Sequence, residues 1–359
     1  MPFIIDSNLQ LPKKNHPIAI IGSGAIVRDA HLPAYKKAGW PIHGIYDMNS
    51  EKAHQLSHQF EISNVFESLD ALISASAPNT IFDVAVPASA LSEILSRLPD
   101  RATVMIQKPL GENIEQAQKL LKIANAKSLT AGVNFQMKFI PAVIAAKNLI
   151  QQGAIGELHD MEIRMNIFHP WHLWKFLFGL PRMEMLYHSI HYMDLLKYFF
   201  GAPHKVYAKT WQHPLQLELA STRSIIFFDY DKPIKAHINT NHGHNFGLKH
   251  QESFIKWEGT EGAIKTTLGL NINFPDGVAD SFEYYSSKDG PQAQWHSVKL
   301  SGSWYPDAFI GSMADLLCFH EGSSTHFITS IEEAFKTMQI VEAAYISSDG
   351  GGTVVQYGK

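Results

Sequence analysis

Pro17-Ile18-Ala19-Ile20-Ile21-Gly22-Ser23-Gly24-Ala25-Ile26-Val27-Arg28 is a short apolar run that ends on two glycines one residue apart. Four apolar residues after a proline read as a strand buried on both faces. Gly22 permits a tight turn, and Gly24 leaves the backbone bare where a pyrophosphate would approach a helix N-terminus. That helix is expected over Asp29 to Lys37, stopped by Gly39. A lone Gly-x-Gly marks many strand–helix turns, and the third small position of the dinucleotide fingerprint is here Val27. The next strand supplies the context. Ile42–Tyr46 ends in Asp47, 25 positions after Gly22, near the spacing of ~20 at which an acid meets the ribose of NAD. Asn49 or Ser50 can cap the helix at 50–60, which leaves Asp47 for the ribose. No arginine follows Asp47 at once, so a 2′-phosphate would be poorly received and NAD is favoured over NADP.

Outward from this stretch, strand and helix alternate. Thr80–Val86, Thr103–Gln107 and Leu129–Phe135 read as strands, and Ser89–Leu98 and Ile114–Ala126 as helices. Such alternation predicts a doubly wound parallel sheet. Val86-Pro87, Lys108 and Asn134 close their strands on one edge, where ligands of open α/β sheets bind. Thr103-Val-Met-Ile-Gln107-Lys108-Pro109 therefore delivers a lysine to a place suited to chemistry. Without the cofactor site upstream, a solvated lysine at a strand end would be the better reading.

At 359 residues the chain is long enough for two domains and at most three. A hydrophobic content of 45%, a charged content of 18% and a net charge of −4 describe an ordinary soluble protein. Without a basic block, nucleic acid is not an expected partner. The single Cys318 excludes an internal disulfide framework and fits a reducing compartment. The first residues lack the pattern of a secretory signal, and no segment reaches the roughly 18 apolar residues of a membrane span. A cytoplasmic protein is expected.

Residues 1–16 read as an extended arm or a frayed end, and Phe139–Gln152 as a linking helix. Glu157–Phe168 opens a second sheet with period-two alternation at Met161, Ile163, Met165 and Ile167. Further strands are expected at 205–210, 224–230, 234–240, 253–257 and 263–267, and helices at 307–320 and 331–347. The tail 350–359 reads as a turn plus a short strand. Phe168-His169-Pro170-Trp171-His172-Leu173-Trp174 is either a hydrophobic knot under a loop or a lid whose aromatic faces stack on a sugar. Asn241-His-Gly-His-Asn245 reads as a polar turn between strands rather than a ligand loop. In the helix expected over Glu184 to Phe200, a spacing of about 100° per residue gathers Glu184, Tyr187, His188, His191 and Asp194 on one side. Two histidines, a tyrosine and two carboxylates suit proton handling better than solubility. His188 and Glu184 are spaced i, i+4, but no third ligand stands at recognisable spacing, so no metal is expected.

These motifs resemble the glucose-fructose oxidoreductase, inositol dehydrogenase and MocA (Gfo/Idh/MocA) family. The matching residues are Gly22-x-Gly24-Ala-Ile-x-Arg28 with His31-Leu-Pro33, Val86-Pro87, Gln107-Lys108-Pro109-Leu110-Gly111 and Asn134-Phe-Gln136-x-Lys138-Phe-x-Pro141. Gly153-x-Ile155-Gly156-Glu-Leu158, His191-x-x-Asp194-Leu-Leu and Glu258-Gly259-x-x-Gly262 extend the match over nearly the whole chain. Three positions depart from the family pattern: Gln107 stands for a glutamate, Lys138 for an arginine, and Tyr187 for the aspartate four residues before the catalytic histidine.

After the arm at 1–16, the resemblance implies a Rossmann domain at 17–137, and at 138–359 an α+β domain with a large open, mostly antiparallel sheet. That sheet would also carry a homodimer or homotetramer contact. Implied cofactor contacts are Gly22, Gly24, Ala25, Ile26, Asp47, Val86, Pro87, Lys108 and Asn134. Lys108 and His191 would be catalytic with Tyr187 beside them, and Gln136, Trp171, His172, Trp174 and His188 would meet the substrate. The implied activity is NAD(P)-dependent hydride transfer to or from a sugar, polyol or related hydroxy compound. Two alternatives stay open, a non-catalytic dinucleotide-binding regulator and a glycosidase that uses tightly bound NAD.

Overall fold

A computed structural model describes residues 3–353. Ile5–Ala145 and Leu300–Met338 form one compact unit. Its first part runs β1 (Ile18–Ile21), α1 (Leu32–Ala38), β2 (Ile42–Tyr46), α2 (Ser50–Phe60), α3 (Leu69–Ala75), β3 (Ile81–Val84), α4 (Leu91–Arg97), β4 (Thr103–Ile106), α5 (Ile114–Ala126) and β5 (Thr130–Val133). The strands form one parallel sheet in the order β2-β1-β3-β4-β5. Every residue of β1, β3 and β4 is buried, which is why these strands read as unbroken apolar runs. Side chains of Asn49, Ser68 and Asn113 cap α2, α3 and α5 at the backbone N–H three residues on.

Among the described residues, the second unit holds residues 3–4, Ala146–Lys299 and residues 339–353. After α6 (Pro141–Gln151) come β6 (Leu158–Asn166), α7 (Ile190–Phe200), β7 (Lys205–Trp211), β8 (Arg223–Asp229), β9 (Lys235–Asn241), β10 (Glu252–Gly259), β11 (Gly262–Thr267), β12 (Ser281–Ser286) and β13 (His296–Ser297). Their order is β13-β12-β11-β10-β6-β9-β8-β7. Within this sheet the pair β6 and β9 is parallel, and the other pairs among the described strands are antiparallel. In β6 the expected alternation holds: Met161, Ile163 and Met165 are buried and their neighbours half-buried.

Two helices close the chain, α8 (Phe309–His320) and α9 (Ile331–Gly350). The unit boundaries differ from the domain limits expected from sequence. Residues 300–338, assigned there to the second domain, lie in the compact unit of the Rossmann sheet. The physical reason is α8, whose Phe309, Ile310, Met313, Ala314, Leu316 and Leu317 pack in one core with Ile18, Ile20, Tyr35, Ile81 and Met105. The arm is also held rather than frayed. Lys13 and Lys14 donate their backbone N–H to Glu321 at 2.8 and 3.1 Å, and His16 is buried against the ring of His320. Val133 N–H donates to Thr329 O at 2.7 Å, so the returning chain covers the β5 edge. In the second unit Ala208 N–H donates to Ser347 Oγ and Thr210 N–H to Ser348 Oγ, so the end of α9 covers the edge of β7. Helix α9 continues to Gly350, and of the stretch 350–359 expected as a turn plus a short strand, residues 354–359 lie outside the described residues.

One buried polar chain runs through the first unit. Asp83 in β3 is fully enclosed, and its Oδ2 accepts from His31 Nδ1 at 2.7 Å and from Tyr35 OH at 2.9 Å. Asn134 Nδ2 donates to His31 Nε2 at 3.1 Å, and Ser312 OH donates to Asn134 Oδ1 at 2.6 Å. Replacing Asp83 with alanine strands two enclosed donors and should lower unfolding free energy by ~2–5 kcal/mol in a denaturant titration. A loss within ~0.5 kcal/mol, the usual size at a surface site, would show the network to be dispensable.

Candidate functional site

The loop after β1 is shaped by close approach on one side and open space on the other. Gly22 has φ +108°, and a Cβ there would lie 2.3 Å from Ala85 O, so no other residue fits between β1 and β3. A Cβ at Gly24 would meet nothing within 4 Å. The chain then winds into a π-turn over Val27–His31 before α1, with Val27 and Arg28 N–H both bonded to Gly24 O. Val27, the bulky third position of the fingerprint, is fully buried in the core. Asp47, just past β2, folds back on this loop: its Oδ2 accepts Ser23 N–H at 2.6 Å and its Oδ1 accepts Asn49 N–H at 2.8 Å. Asn49 rather than Asp47 caps α2, as the sequence allows. A glycine loop with open space above it and an acid at the next strand end fits an adenine dinucleotide.

On the same sheet edge, Lys108 follows β4 and is half-buried. Burial lowers its ammonium to about 8. Pro87 leads into the turn before α4, so Val86 and Pro87 stand at the end of β3 as expected. Asn134 is 2% exposed, and its carboxamide is engaged with His31 and Ser312 inside the core. Gln136 is equally enclosed, and its Oε1 has no hydrogen-bond partner among the described residues.

The second unit carries the histidine segment. Glu184–Ser189 forms a π-turn, and α7 continues from it through the buried His191. The wider turn breaks the single polar face expected at uniform helical spacing. Tyr187 packs on a cluster of Trp171, Leu177, Met183 and Leu219, with its ring 5.9 Å from Phe176. His188 turns instead to His242, with ring centroids 4.3 Å apart. His242 lies just past β9 and His169 just past β6, joined by His169 N–H donating to His242 O at 3.1 Å. Ligand atoms of His169, His188 and His242 all lie within 4.8 Å of one another.

Glu184 is fully enclosed behind them. Its Oε1 accepts from Ser189 OH at 2.6 Å and from His242 Nε2 at 3.1 Å, and Ser224 OH donates to its Oε2. Burial pushes the Glu184 carboxyl up, but the hydrogen bond and charge of His242, with the two hydroxyls, outweigh it and hold the group below its ordinary value. Burial, reinforced by His242, holds the His169 imidazole well below its ordinary value.

Of the aromatic stretch, Trp171 is buried in the apolar cluster, which supports the hydrophobic knot. Trp174 stacks on His169 at 4.8 Å, and His172, expected at the substrate, is exposed. His169 and His242 stand outside the site residues expected from sequence, although each lies in a stretch singled out there. His242 sits in the segment read as a polar turn, yet it is fully buried.

The N-terminal part, residues 17–135, matches the model of the oxidoreductase family with an NAD-binding Rossmann fold, and residues 143–265 match the GFO/IDH/MocA C-terminal domain. The chain belongs to the GFO/IDH/MocA oxidoreductase family. Among its relatives, the uncharacterized protein YMR315W of Saccharomyces cerevisiae is 24% identical and spans 94% of this chain and 97% of its own. D-apiose dehydrogenase of Paraburkholderia graminis is 21% identical over 94% of this chain and 88% of its own. An oxidoreductase from Agrobacterium radiobacter, solved with NAD+, L-tartaric acid and magnesium, superposes with a TM-score of 0.77 at 19% identity, covering 95% and 98% of the two chains. Both sheets are thus family features. No helix among the described residues is long and apolar enough to cross a membrane.

Open space at Gly24 gives a direct test of the cradle. Gly24→Val should weaken NAD binding by about tenfold or more, a loss of ~1.4 kcal/mol, while its melting temperature stays near that of the parent. Unchanged NAD affinity by calorimetry would place the pyrophosphate elsewhere.

Proposed function

We propose that this chain is an NAD-dependent oxidoreductase that moves a hydride between the nicotinamide and a sugar, polyol or related hydroxy compound. The observation that carries the reading is Lys108, a desolvated ammonium at the end of β4 on the sheet edge that also bears the glycine loop and Asp47. Membership of the family and the D-apiose dehydrogenase relative support a sugar-like substrate. Gly22, Gly24, Ala25 and Ile26 would hold the pyrophosphate, Asp47 the ribose hydroxyls, and Val86 and Pro87 the strand-end wall. NAD, when bound, supplies the hydride acceptor. In this reading His191 is the base for the substrate hydroxyl proton, and Lys108 is the cation that anchors and polarises a substrate oxygen. Tyr187 is a positioning residue one turn before His191, in place of the family's aspartate. The Glu184 carboxylate is engaged with His242, Ser189 and Ser224, which favours Tyr187 over Glu184 in that part.

The acid at position 47, with no arginine beside it, favours NAD over NADP. Association through the second sheet has support in the exposed side chains of Tyr207, Trp211 and Phe227, which share one face of β7 and β8.

The deciding experiment is a thermal-shift titration with NAD and NADP, then a sugar and polyol panel read by cofactor absorbance. Lys108→Ala and His191→Ala should each lower kcat by ~10²-fold or more; near-normal turnover in both would end the assignment. Because burial lowers Lys108 to about 8, its positive charge is present below that pH and lost above it. kcat/KM should therefore fall as pH rises through about 8, and Lys108→Arg, whose guanidinium stays charged, should lose that limb. A profile flat across that range in the parent would show that the ammonium is not used.

A further inference from the structure

We propose that His169, His188 and His242 form a binding site for one divalent transition-metal ion of the zinc class, with Glu184 as the carboxylate behind His242. Three separate pieces of chain deliver the imidazoles: the end of β6, the π-turn before α7 and the end of β9. Their ligand atoms already lie within 4.8 Å of one another. The rings meet edge-on rather than stacked, at 89° between His169 and His188, 81° between His169 and His242, and 66° between His188 and His242.

Hydrogen bonding singles out the coordinating atom of His242. Its Nε2 is engaged with Glu184, and its Nδ1 is buried with no hydrogen-bond partner among the described residues. The Nδ1 of His169 is buried in the same condition. Unsatisfied ring nitrogens are costly in a folded interior, and a metal ion satisfies them together. A carboxylate on the far nitrogen is the usual partner of a metal-bound imidazole, because it sets the tautomer and raises the basicity of the ligand. Glu184 is well suited to this, since Ser189 and Ser224 hold it and it is fully enclosed.

The donor set decides the class of ion. Three nitrogens and no carboxylate oxygen in the first layer favour zinc, nickel, cobalt or copper and disfavour magnesium and calcium, which take oxygen ligands. Zinc–nitrogen bonds of about 2.0–2.1 Å require the three nitrogens to draw in around the ion. His169 and His188 are half-buried and His242 is enclosed, so the movement falls on the first two. Trp171 and Trp174 pack at 4.3 and 4.8 Å from His169 and supply an apolar shell. Three protein ligands leave a fourth position for water or an oxygen ligand. In sequence this site was invisible because its ligands stand at 169, 188 and 242, with no motif spacing between them. It stands independently of the redox reading.

The test uses the full chain, without a histidine tag, stripped with chelator and titrated with Zn2+ by calorimetry and with Co2+ by visible absorption. About one ion per chain is expected, with Co2+ bands of a nitrogen-rich, low-coordination site. His169→Ala and His188→Ala should each weaken Zn2+ binding by more than tenfold, and Glu184→Gln by ~10–100-fold, as for other second-layer partners. The exposed His54→Ala should leave it unchanged, and Zn2+ should raise the melting temperature of the parent but not of the histidine variants. Absence of stoichiometric Zn2+ and Co2+ binding by the parent overturns the proposal, whatever the variants do. Binding that survives in both histidine variants overturns it too, because the ion then sits elsewhere.

Discussion

The Asp83 carboxylate, with no exposure to water, is the constraint around which the first unit is arranged. A carboxylate carried into the middle of a parallel sheet needs donors at fixed positions. His31 and Tyr35 supply them from the segment that follows the glycine loop, so the π-turn and α1 are set against β3. His31 in turn binds Asn134 at the end of β5, and Asn134 binds Ser312 on α8. One polar chain therefore ties together the glycine loop, the edge on which Lys108 stands and the returning C-terminal segment. The apolar packing around it gives most of the attraction, and the polar chain selects one register of the pieces.

In the second unit the corresponding constraint is Glu184. It is enclosed, held by two serines and His242, and placed at the start of a π-turn. An extra residue in that turn redirects the side chains that follow it. Tyr187 enters an apolar cluster, His188 joins two histidines from strand ends, and His191 begins a regular helix buried along most of its length. A single face that would have served one purpose is divided between packing, a histidine cluster and the residue proposed to move protons. The glycine loop shows the same division on a smaller scale: Gly22 is required by the β3 backbone, while Gly24 opens the space for a ligand.

Much of the fold was legible from local pattern. The strands of the first sheet, α2 and α5 carried apolar runs, caps and turn residues that agreed with one another, so their limits fell within a residue or two. Elements with weaker signals escaped. Strand β12, Ser281–Ser286, carries only Phe282 as a deeply buried apolar side chain, and α3 has two turns. The site was legible in part. Lys108, Asp47, Gly22 and Gly24 stand on short-range motifs and occupy the strand ends they were expected to occupy. His172 is exposed where a ligand contact was expected, and Asn134 is engaged in the core, since nothing in their neighbours' identity reveals which way each side chain points.

The amino-acid sequence by itself determined the class of the molecule: a parallel dinucleotide-binding sheet followed by a strand-rich second part, with a lysine closing the fourth strand. Hydrophobic period, glycine position and capping are interactions between near neighbours, and these are written in order along the chain. Only the tertiary structure decided that residues 300–338 complete the first unit and that His169, His188 and His242 share one point in space. Those outcomes depend on contacts between residues tens to hundreds of positions apart, which are set by how buried surfaces and enclosed polar groups find partners and not by any spacing in the chain.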